Sequence, residues 1–500
     1  MIELTGHSLT LEAVESVARD EVEVSLGQPA RVAIAESRGF VERLLESGER
    51  IYGVTTGFGR LADVVIAPDQ QMELQRNLVR SHSAGVGDPL SRIEVRTILL
   101  LRANALCRGH SGCRLEVVER LLELLNHGIH PVVPEMGSVG ASGDLAPLAH
   151  IALTILGEGF VLGDGPPVAA SDALKRAGLE PIDLKEKEGL ALINGTQAHT
   201  GLGVLALRAA ERSLEALEVA GAMSLDALKG TPEAFRGEVQ EARPHAGQAR
   251  SAHRLWSLLL GSEIRESHRH GDPRVQDAYS LRCMPQVHGA CRSALTYVRG
   301  VVEVEVNSST DNPLIFPEAD AVVSAGNFHG QIVSQALDFL TIAITDLASI
   351  SERRLERLLN PDLSGLPAFL TTSPGLRSGL MIAQVTAVDL LAEMRVLAHP
   401  VSTDSVPTSA GQEDHVSMGM AAARKARRAV QNLEFVVALE FLAAAQAIEF
   451  HRPLKSGPSI EAALALIRER VPRLEDDRSL TGDIESIAEL VRSGVLGAVA

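Results

Sequence analysis

Four long stretches of helical periodicity occupy much of the second half of the chain. Apolar residues recur there at three- and four-residue spacing, over residues 201–229, Gln331–Leu359, Leu376–Ala398 and Glu413–His451. The last stretch covers about 38 residues, or roughly 57 Å at the helical rise per residue. Because helices of this length in a soluble protein need neighbours along their whole length, the pattern predicts a helical bundle. Many of these helices are apolar on more than one side, which predicts that they are buried between subunits as well as within one.

The first 200 residues follow a different pattern. The run Val22–Leu26 is predicted to be a short strand, and residues 50–200 are rich in Gly, Pro and polar loops. Glycine is concentrated at Gly53–Gly59, Gly85–Gly87 and Gly137–Gly143. Loops held by a helical frame are where chemistry tends to lie. We therefore predict a mainly α fold, with a mixed N-terminal domain over residues 1–200 and a long-helix bundle over residues 201–500.

Composition and charge narrow the class of protein. The chain is 45% hydrophobic but only 3% aromatic, which favours closely packed helices over a sheet sandwich. Its formal net charge of -17 argues against a nucleic-acid partner, because phosphate binding needs basic clusters. The short basic run Arg424–Arg428 lies inside a helical pattern and is predicted to be a solvated face or a subunit contact.

The chain shows no sign of a membrane span, a secretion signal or a metal site. The most apolar candidate, Phe435–Ile448, is interrupted by Glu440 and is predicted to be a buried bundle helix. The N-terminus lacks the basic start and apolar segment of a signal peptide. Four cysteines, with spacings that fit no common zinc pattern, indicate a reducing cytoplasm.

The segment Gly137–His150 suggests a backbone that can react with itself. An amide nitrogen can attack the carbonyl carbon two residues earlier if the turn is tight and side chains are small. Gly143 has no Cβ to obstruct its nitrogen, Ala141 has an uncrowded carbonyl, and Ser142 between them can lose its hydroxyl as water. The alternative is an ordinary turn at the start of a helix, capped by Ser142 or Asp144.

This segment resembles the signature of the histidine and aromatic amino acid ammonia-lyases. In that family, Ala-Ser-Gly becomes 4-methylidene-imidazol-5-one (MIO), with no external cofactor and no metal. Further stretches resemble family motifs in the same order along the chain: Tyr52–Gly59, Gln75–Gly87, Leu192–Gln197, Gln276–Arg282, Asp311–Leu314, Gly326–Gln331 and Gln412–Met418. The resemblance thus covers the chain from about residue 50 to about residue 420.

The resemblance implies a role for each matched residue. Ala141, Ser142 and Gly143 would form the electrophile, and Tyr52 would take the β-proton of the substrate. Arg282 would bind the substrate carboxylate in two-pronged fashion. The other residues implied to bind the substrate or the electrophile are Asn194, Gln276, Tyr279 and Phe328, with Tyr279 counted among the catalytic residues.

Three further positions bear on the substrate. His82, after Ser81, resembles the histidine enzymes, whereas aromatic lyases carry Phe-Leu or His-Leu there. Glu413 and Met381 also resemble the histidine enzymes, as a catalytic carboxylate and an apolar ring contact. A carboxylate and an imidazole suit a substrate ring that has one donor and one acceptor. Gly411 departs from the usual Asn, as Thr55 does, and the space at Gly411 leaves a modified histidine open as substrate.

The resemblance implies an enzyme that converts L-histidine to trans-urocanate and ammonia. The family forms homotetramers in which three chains build each active site, and its fold is of the ammonia-lyase and fumarase-like type. Three alternatives remain open at this point: a tyrosine or phenylalanine ammonia-lyase or aminomutase, a fumarase-type lyase without MIO, and a catalytically inactive homologue.

Overall fold

The computed structural model describes residues 1–48, 50–272 and 274–499. These residues form α-helices and short strands, and the mainly α fold predicted from the periodicity is confirmed. The helices are α1 Leu11–Arg19, α2 Gln28–Ser47, α3 Gln71–His82, α4 Arg92–Leu106, α5 Leu115–Asn126, α6 Leu145–Ile155, α7 Ala170–Ala177, α8 Glu188–Ile193, α9 Gln197–Ala227, α10 Gly237–Glu241, α11 Ala246–Leu258, α12 Glu263–Glu266, α13 Tyr279–Arg282, α14 Met284–Glu305, α15 Gln331–Leu359, α16 Pro361–Ser364, α17 Met381–Leu397, α18 Gly419–Glu449, α19 Pro458–Arg468 and α20 Thr481–Ser493.

The strands of the described residues pair into four two-stranded sheets. Their bounds are β1 Ile2–Leu4, β2 Val24–Leu26, β3 Val86–Pro89, β4 Pro134–Met136, β5 Phe160–Val161, β6 Val168–Ala169, β7 Leu314–Phe316 and β8 Ala321–Val323. The strand predicted at Val22–Leu26 is β2, which pairs in parallel with β1. The other three pairs, β3 with β4, β5 with β6 and β7 with β8, are antiparallel. Sheets of two strands with two to four residues each hold neighbouring loops together and form only a small part of the hydrophobic core.

The four predicted long helices are present, with shifts at their ends. α15 has the predicted bounds, since Asn360-Pro361 stops it. α18 begins six residues later than predicted, because Met418 takes a left-handed φ of 59° just before it. α17 begins at Met381 because Gly379, with a φ of 54°, breaks the helical run. Local backbone turns therefore decide where the periodic pattern becomes a helix.

The described chain divides into two compact units. The first comprises Met1–Leu205, Arg299–Asp338 and Pro400–Arg424. It contains all the strands, and its core includes α4, which packs against α1 and α5. A capping box at Ser91 and Glu94 starts α4 by satisfying free amides at its N-terminus. This unit adds two later segments to the predicted N-terminal domain, whereas the linear division at residue 200 stays a prediction.

The second unit comprises Ala206–Val298, Phe339–His399 and Lys425–Ala500, and its described residues contain helices but no strand. Glu440, in the middle of α18, lies fully buried beside the equally buried Arg354. Arg354 Nε donates to Glu440 Oε1 at 2.6 Å, and the hydroxyls of Ser224 and Ser351 donate to the same carboxylate. Glu440 thus interrupts the apolar run Phe435–Ile448 because it is an internal partner for an arginine, as burial of a charge requires.

Among the described residues, helix α15 has the length and the apolar composition that a membrane-crossing helix needs. However, 61% of its most apolar stretch is buried within the protein. The core helices of soluble proteins have the same character, so the composition of α15 is that of a helix packed inside a bundle.

Candidate active site

The loop from Gly137 to Asp144 has a backbone that requires glycine. Gly140 and Gly143 both take left-handed φ angles, of 71° and 72°. A Cβ on Gly143 would lie 2.1 Å from the carbonyl oxygen of Gly195, and one on Gly140 would lie 2.1 Å from Ser417 Oγ. Both distances are far inside van der Waals contact. The absence of a Cβ at Gly143, expected from the sequence, is therefore a steric requirement of this packing.

Hydrogen bonds from distant segments hold this loop in place. The Asp144 amide donates to the Gly195 carbonyl at 2.6 Å, and the Met418 amide donates to the Val139 carbonyl at 2.8 Å. Although α6 starts directly after Asp144, the Asp144 side chain makes no capping bond to that helix. It accepts instead from the Ser138 hydroxyl, at 2.9 Å. The loop is thus more than a capped turn at the start of a helix.

Ser142 opens into a cavity of about 1400 Å³ formed by the first unit. The cavity includes seven of the residues predicted from the sequence to form the site: Tyr52, His82, Ala141, Ser142, Asn194, Phe328 and Glu413. Gly143 lies in the loop beneath the cavity lining. Gly411, where a side chain was expected to be missing from the pocket, does not line the cavity, and a Cβ there would meet nothing within 4 Å.

Tyr52 lies in a turn at one wall of the cavity. Its hydroxyl oxygen accepts a hydrogen bond from the Gly59 amide at 3.0 Å. Its ring meets the edge of Phe58, with 6.4 Å between the ring centroids. A backbone amide that donates to the phenol oxygen stabilises negative charge there. Tyr52 is therefore placed to accept a proton from a ligand in the cavity.

Glu413 is held by two hydroxyl groups that the sequence analysis did not identify. Its Oε2 accepts from Thr408 Oγ1 at 2.7 Å and from Ser409 Oγ at 2.8 Å. Its other oxygen, Oε1, lies 3.4 Å from Ser142 Oγ. The turn that brings these groups together is strained, since Ser409 and Ala410 have left-handed φ angles of 48° and 54°. One carboxylate oxygen is therefore anchored, and the other faces Ser142.

His82 is the last residue of α3, and its ring orientation is defined by the helix. Its Nδ1 lies 2.9 Å from the Leu78 carbonyl oxygen, which can only accept, so Nδ1 carries the hydrogen. Burial lowers the pKa of His82 below its usual value, although the Leu78 carbonyl and the Glu413 charge oppose that shift. The ring is thus neutral near pH 7, with Nε2 available to accept a hydrogen bond.

Asn194, the residue after α8, presents an unsatisfied acceptor to the cavity. Its Nδ2 donates to Asp311 Oδ1 at 3.2 Å and to the Asn312 carbonyl at 3.1 Å. Its Oδ1 is buried and has no hydrogen-bond partner among the described residues. Lys187, itself buried, pairs with the other oxygen of Asp311 at 2.8 Å. A buried oxygen without a partner calls for a donor from a bound group.

Four predicted site residues belong to the second unit and do not line this cavity: Gln276, Tyr279, Arg282 and Met381. Arg282 Nε donates to the Asp277 carbonyl at 2.9 Å, and its guanidinium lies over the Tyr279 ring, 4.5 Å from the centroid. The Tyr279 side chain is 71% exposed, and Met381 is also exposed. Among the described residues, no group of three or more His, Cys, Asp or Glu side chains could hold a metal ion, and the four cysteines are free.

Comparison with known proteins gives consistent matches over the whole chain. Residues 9–469 match the family model described as aromatic amino acid lyase. The chain is 52% identical to histidine ammonia-lyase of Anaeromyxobacter dehalogenans, over 99% of both proteins. It is similar to the crystal structure of histidine ammonia-lyase from Trypanosoma cruzi, with a TM-score of 0.93, 43% identity, and coverage of 100% of this chain and 94% of that one. Tyrosine aminomutase from Streptomyces globisporus gives a TM-score of 0.94 and 41% identity, covering 100% and 98%.

Proposed function

The chain belongs to the aromatic amino acid lyase family, and we propose that its cavity eliminates ammonia from L-histidine to give trans-urocanate. The protein is a carbon–nitrogen lyase. The observation that carries the choice of substrate is Glu413, whose Oε2 is anchored by two hydroxyls and whose Oε1 is left to face a cavity that His82 also lines. Identity near 50% to histidine ammonia-lyases over the full length supports the same substrate.

The segment Ala141-Ser142-Gly143 fits the MIO group that this family uses. Gly143 packs against Gly195 where no Cβ has room, and Ser142 lines the cavity. When formed, MIO supplies an electrophile for the substrate amine and so makes ammonia a better leaving group. Asn194 and Phe328 line the same cavity and would hold the group from its sides, with the unpartnered Asn194 Oδ1 facing a donor.

Tyr52 would remove the β-proton of the substrate. Its oxygen accepts a hydrogen bond from the Gly59 amide, which fixes the position of that oxygen at the cavity wall. The imidazole ring of histidine offers one N–H donor and one acceptor. Glu413 Oε1 or the Nε2 of the neutral His82 would accept from that N–H, since both atoms are acceptors that line the cavity. A phenyl ring satisfies neither partner and would leave both polar groups unpaired.

We propose that other copies of the chain complete the site in a homotetramer. Gln276, Tyr279, Arg282 and Met381 do not line the cavity formed by the first unit. Helix α17, which begins at Met381, carries an exposed apolar face made of Ile382, Val385, Val388 and Val396. Exposed apolar faces of this kind mark protein interfaces. The four free cysteines are consistent with a reducing cytoplasm, where we place the enzyme.

Arg282→Lys is expected to weaken substrate binding and turnover together. A lysine ammonium is a point charge and cannot make the two parallel hydrogen bonds of a guanidinium to a carboxylate. Losing one charged hydrogen bond costs about 1.5–3 kcal/mol, or roughly ten- to a hundredfold in kcat/KM. Steady-state kinetics with histidine measure this loss, and a change below about twofold would place Arg282 outside the site.

Removing the two hydroxyls that anchor Glu413, with Thr408→Val and Ser409→Ala together, is expected to raise KM for histidine more than it lowers kcat. The variant removes two hydrogen bonds to the Glu413 carboxylate, which can then take several orientations. We expect kcat/KM to fall roughly tenfold as a result. Thr403→Val, at an exposed position of the same loop, is the matched control. Unchanged KM in the double variant would contradict this role.

The choice of substrate is tested by kcat/KM for histidine, a ring-methylated histidine, tyrosine and phenylalanine. We expect histidine to be preferred, and His82→Leu with Glu413→Gln to lower its kcat/KM by about thirty- to a thousandfold, because each of the two polar partners contributes about 1–2 kcal/mol. A preference of the wild type for tyrosine or phenylalanine would overturn the histidine assignment. A β-amino acid product in place of ammonia would identify an aminomutase, which the similarity to tyrosine aminomutase makes the second candidate.

A further inference from the structure

Directly beneath the reactive loop lies a buried acid–base pair, Asp144 and His199. Asp144 Oδ2 lies 2.8 Å from His199 Nδ1, and both side chains are fully buried. His199 stands in the first turn of α9, and its backbone amide donates to the same Asp144 oxygen at 2.8 Å. Asp144 follows Gly143 in the chain, so the pair is one residue away from the segment proposed to form MIO.

Two glycines from separate segments make room for the His199 ring. A Cβ on Gly330 would lie 2.4 Å from His199 Nε2, and one on Gly419 would lie 2.8 Å from its Cγ. Nε2 is buried and has no hydrogen-bond partner among the described residues. The packing around the loop therefore leaves room for an imidazole at this position, and the ring contacts Asp144 through Nδ1.

The contact with Asp144 favours the protonated form of His199. Burial alone would lower the pKa of His199, but the neighbouring Asp144 carboxylate outweighs burial and raises it, with a smaller contribution from Glu305. Glu305 is itself buried and accepts from the Thr196 hydroxyl at 2.5 Å. Burial raises the pKa of Glu305, so the carboxyl group that chiefly favours the protonated form of His199 is Asp144, 2.8 Å from its Nδ1.

Asp144 lies at one end of the loop and also holds the other end, through Ser138. Its Oδ1 accepts from the Ser138 hydroxyl at 2.9 Å, and Ser138 Oγ accepts from the Gly140 amide at 3.1 Å. The loop from Ser138 to Asp144 is therefore closed on itself through one carboxylate, and His199 fixes the position of that carboxylate.

We propose that His199 is a positioning residue for the self-modification of Ala141-Ser142-Gly143. The proposal rests on the proposed function. Ring closure joins the Gly143 nitrogen to the Ala141 carbonyl carbon, and the Ala141 oxygen leaves as water with the protons of the Gly143 and Ser142 amides. The Ser142 hydroxyl then leaves as water with the Ser142 α-proton. Through Asp144, His199 holds the loop in the compressed turn in which the attacking nitrogen and the carbonyl carbon meet.

The test follows dehydration by intact mass, independently of activity. Full-length chains are labelled in a short isotope pulse, and the fraction lighter by two waters is measured over time. His199→Gln is expected to slow the water loss at least about tenfold, because a charged partner of Asp144 is lost. Thr200→Val is the matched control, because Thr200 is a buried neighbour on the same helix whose hydroxyl has no hydrogen-bond partner among the described residues; it should dehydrate at the wild-type rate.

Each outcome decides the proposal. A His199→Gln chain that has the wild-type melting temperature and dehydrates at the wild-type rate overturns it. Should that variant fail to fold, Ser138→Ala tests the same linkage, since it breaks the contact between Asp144 and Gly140. An unchanged rate in Ser138→Ala then overturns the proposal. A wild-type chain that never loses two waters refutes the proposed function itself and is recognised in the wild-type sample alone.

Discussion

Ser142→Ala is expected to leave a folded protein with almost no activity. The methylidene carbon of MIO can come only from Ser142 Cβ, and alanine has no hydroxyl to lose as the second water. The fold should persist, because the Ser142 hydroxyl makes a single long contact, 3.4 Å to Glu413. Turnover of histidine, intact mass and melting temperature are the three measurements.

The control for this substitution is Ser83→Ala. Ser83 follows α3 and bonds only to the Val79 carbonyl within that helix end, so its loss should change neither mass nor turnover. The mass of the wild-type chain should fall two waters below that of its sequence, and the Ser142→Ala mass should not. An active Ser142→Ala enzyme, or an active wild type of unmodified mass, would contradict the assignment of MIO to this segment.

Tyr52→Phe is expected to lower kcat by about two to four decades, the usual effect of removing a general acid–base group. The ring still packs against Phe58, so the fold and the dehydration of Ala141-Ser142-Gly143 should be unaffected. The lost interaction is the one between the phenol oxygen and the Gly59 amide. The measurements are kcat and KM for histidine beside the intact mass.

Tyr297→Phe is the matched control for Tyr52. Tyr297 lies half-exposed on α14 and packs edge-on against Phe339, outside the residues that line the cavity. The control should retain wild-type turnover. A Tyr52→Phe enzyme that also retains near-normal turnover would remove Tyr52 from the proton transfer.

The long helices were predictable because their apolar periodicity is strong and their stop signals are local. Gln331–Leu359 has the predicted bounds, since an Asn-Pro step ends it. The start of α18 was not predictable, because it depends on a left-handed Met418, and nothing in the residue type of methionine favours that conformation. Periodicity identifies a helix, whereas tertiary contacts decide where its first turn forms.

Only the site residues that belong to recognisable sequence motifs could be predicted. Tyr52, Ser142 and Glu413 were identified from short signatures, and the structure brings them to one cavity. The anchoring of Glu413 by Thr408 and Ser409 could have been suspected from two hydroxyl residues four and five positions before the glutamate. The pairing of Asp144 with His199 could not, since it joins residues 55 positions apart.

The packing of the loop from Gly137 to Asp144 also depends on residues that are synthesised much later than the loop itself. Gly143 is confined by Gly195, and Val139 accepts a hydrogen bond from Met418, which is made some 280 residues after it. A nascent chain that ends before Met418 lacks that contact and the Ser417 hydroxyl against Gly140. On the proposed function, fragments that end before Met418 are therefore expected to carry unmodified Ser142, which intact mass would show.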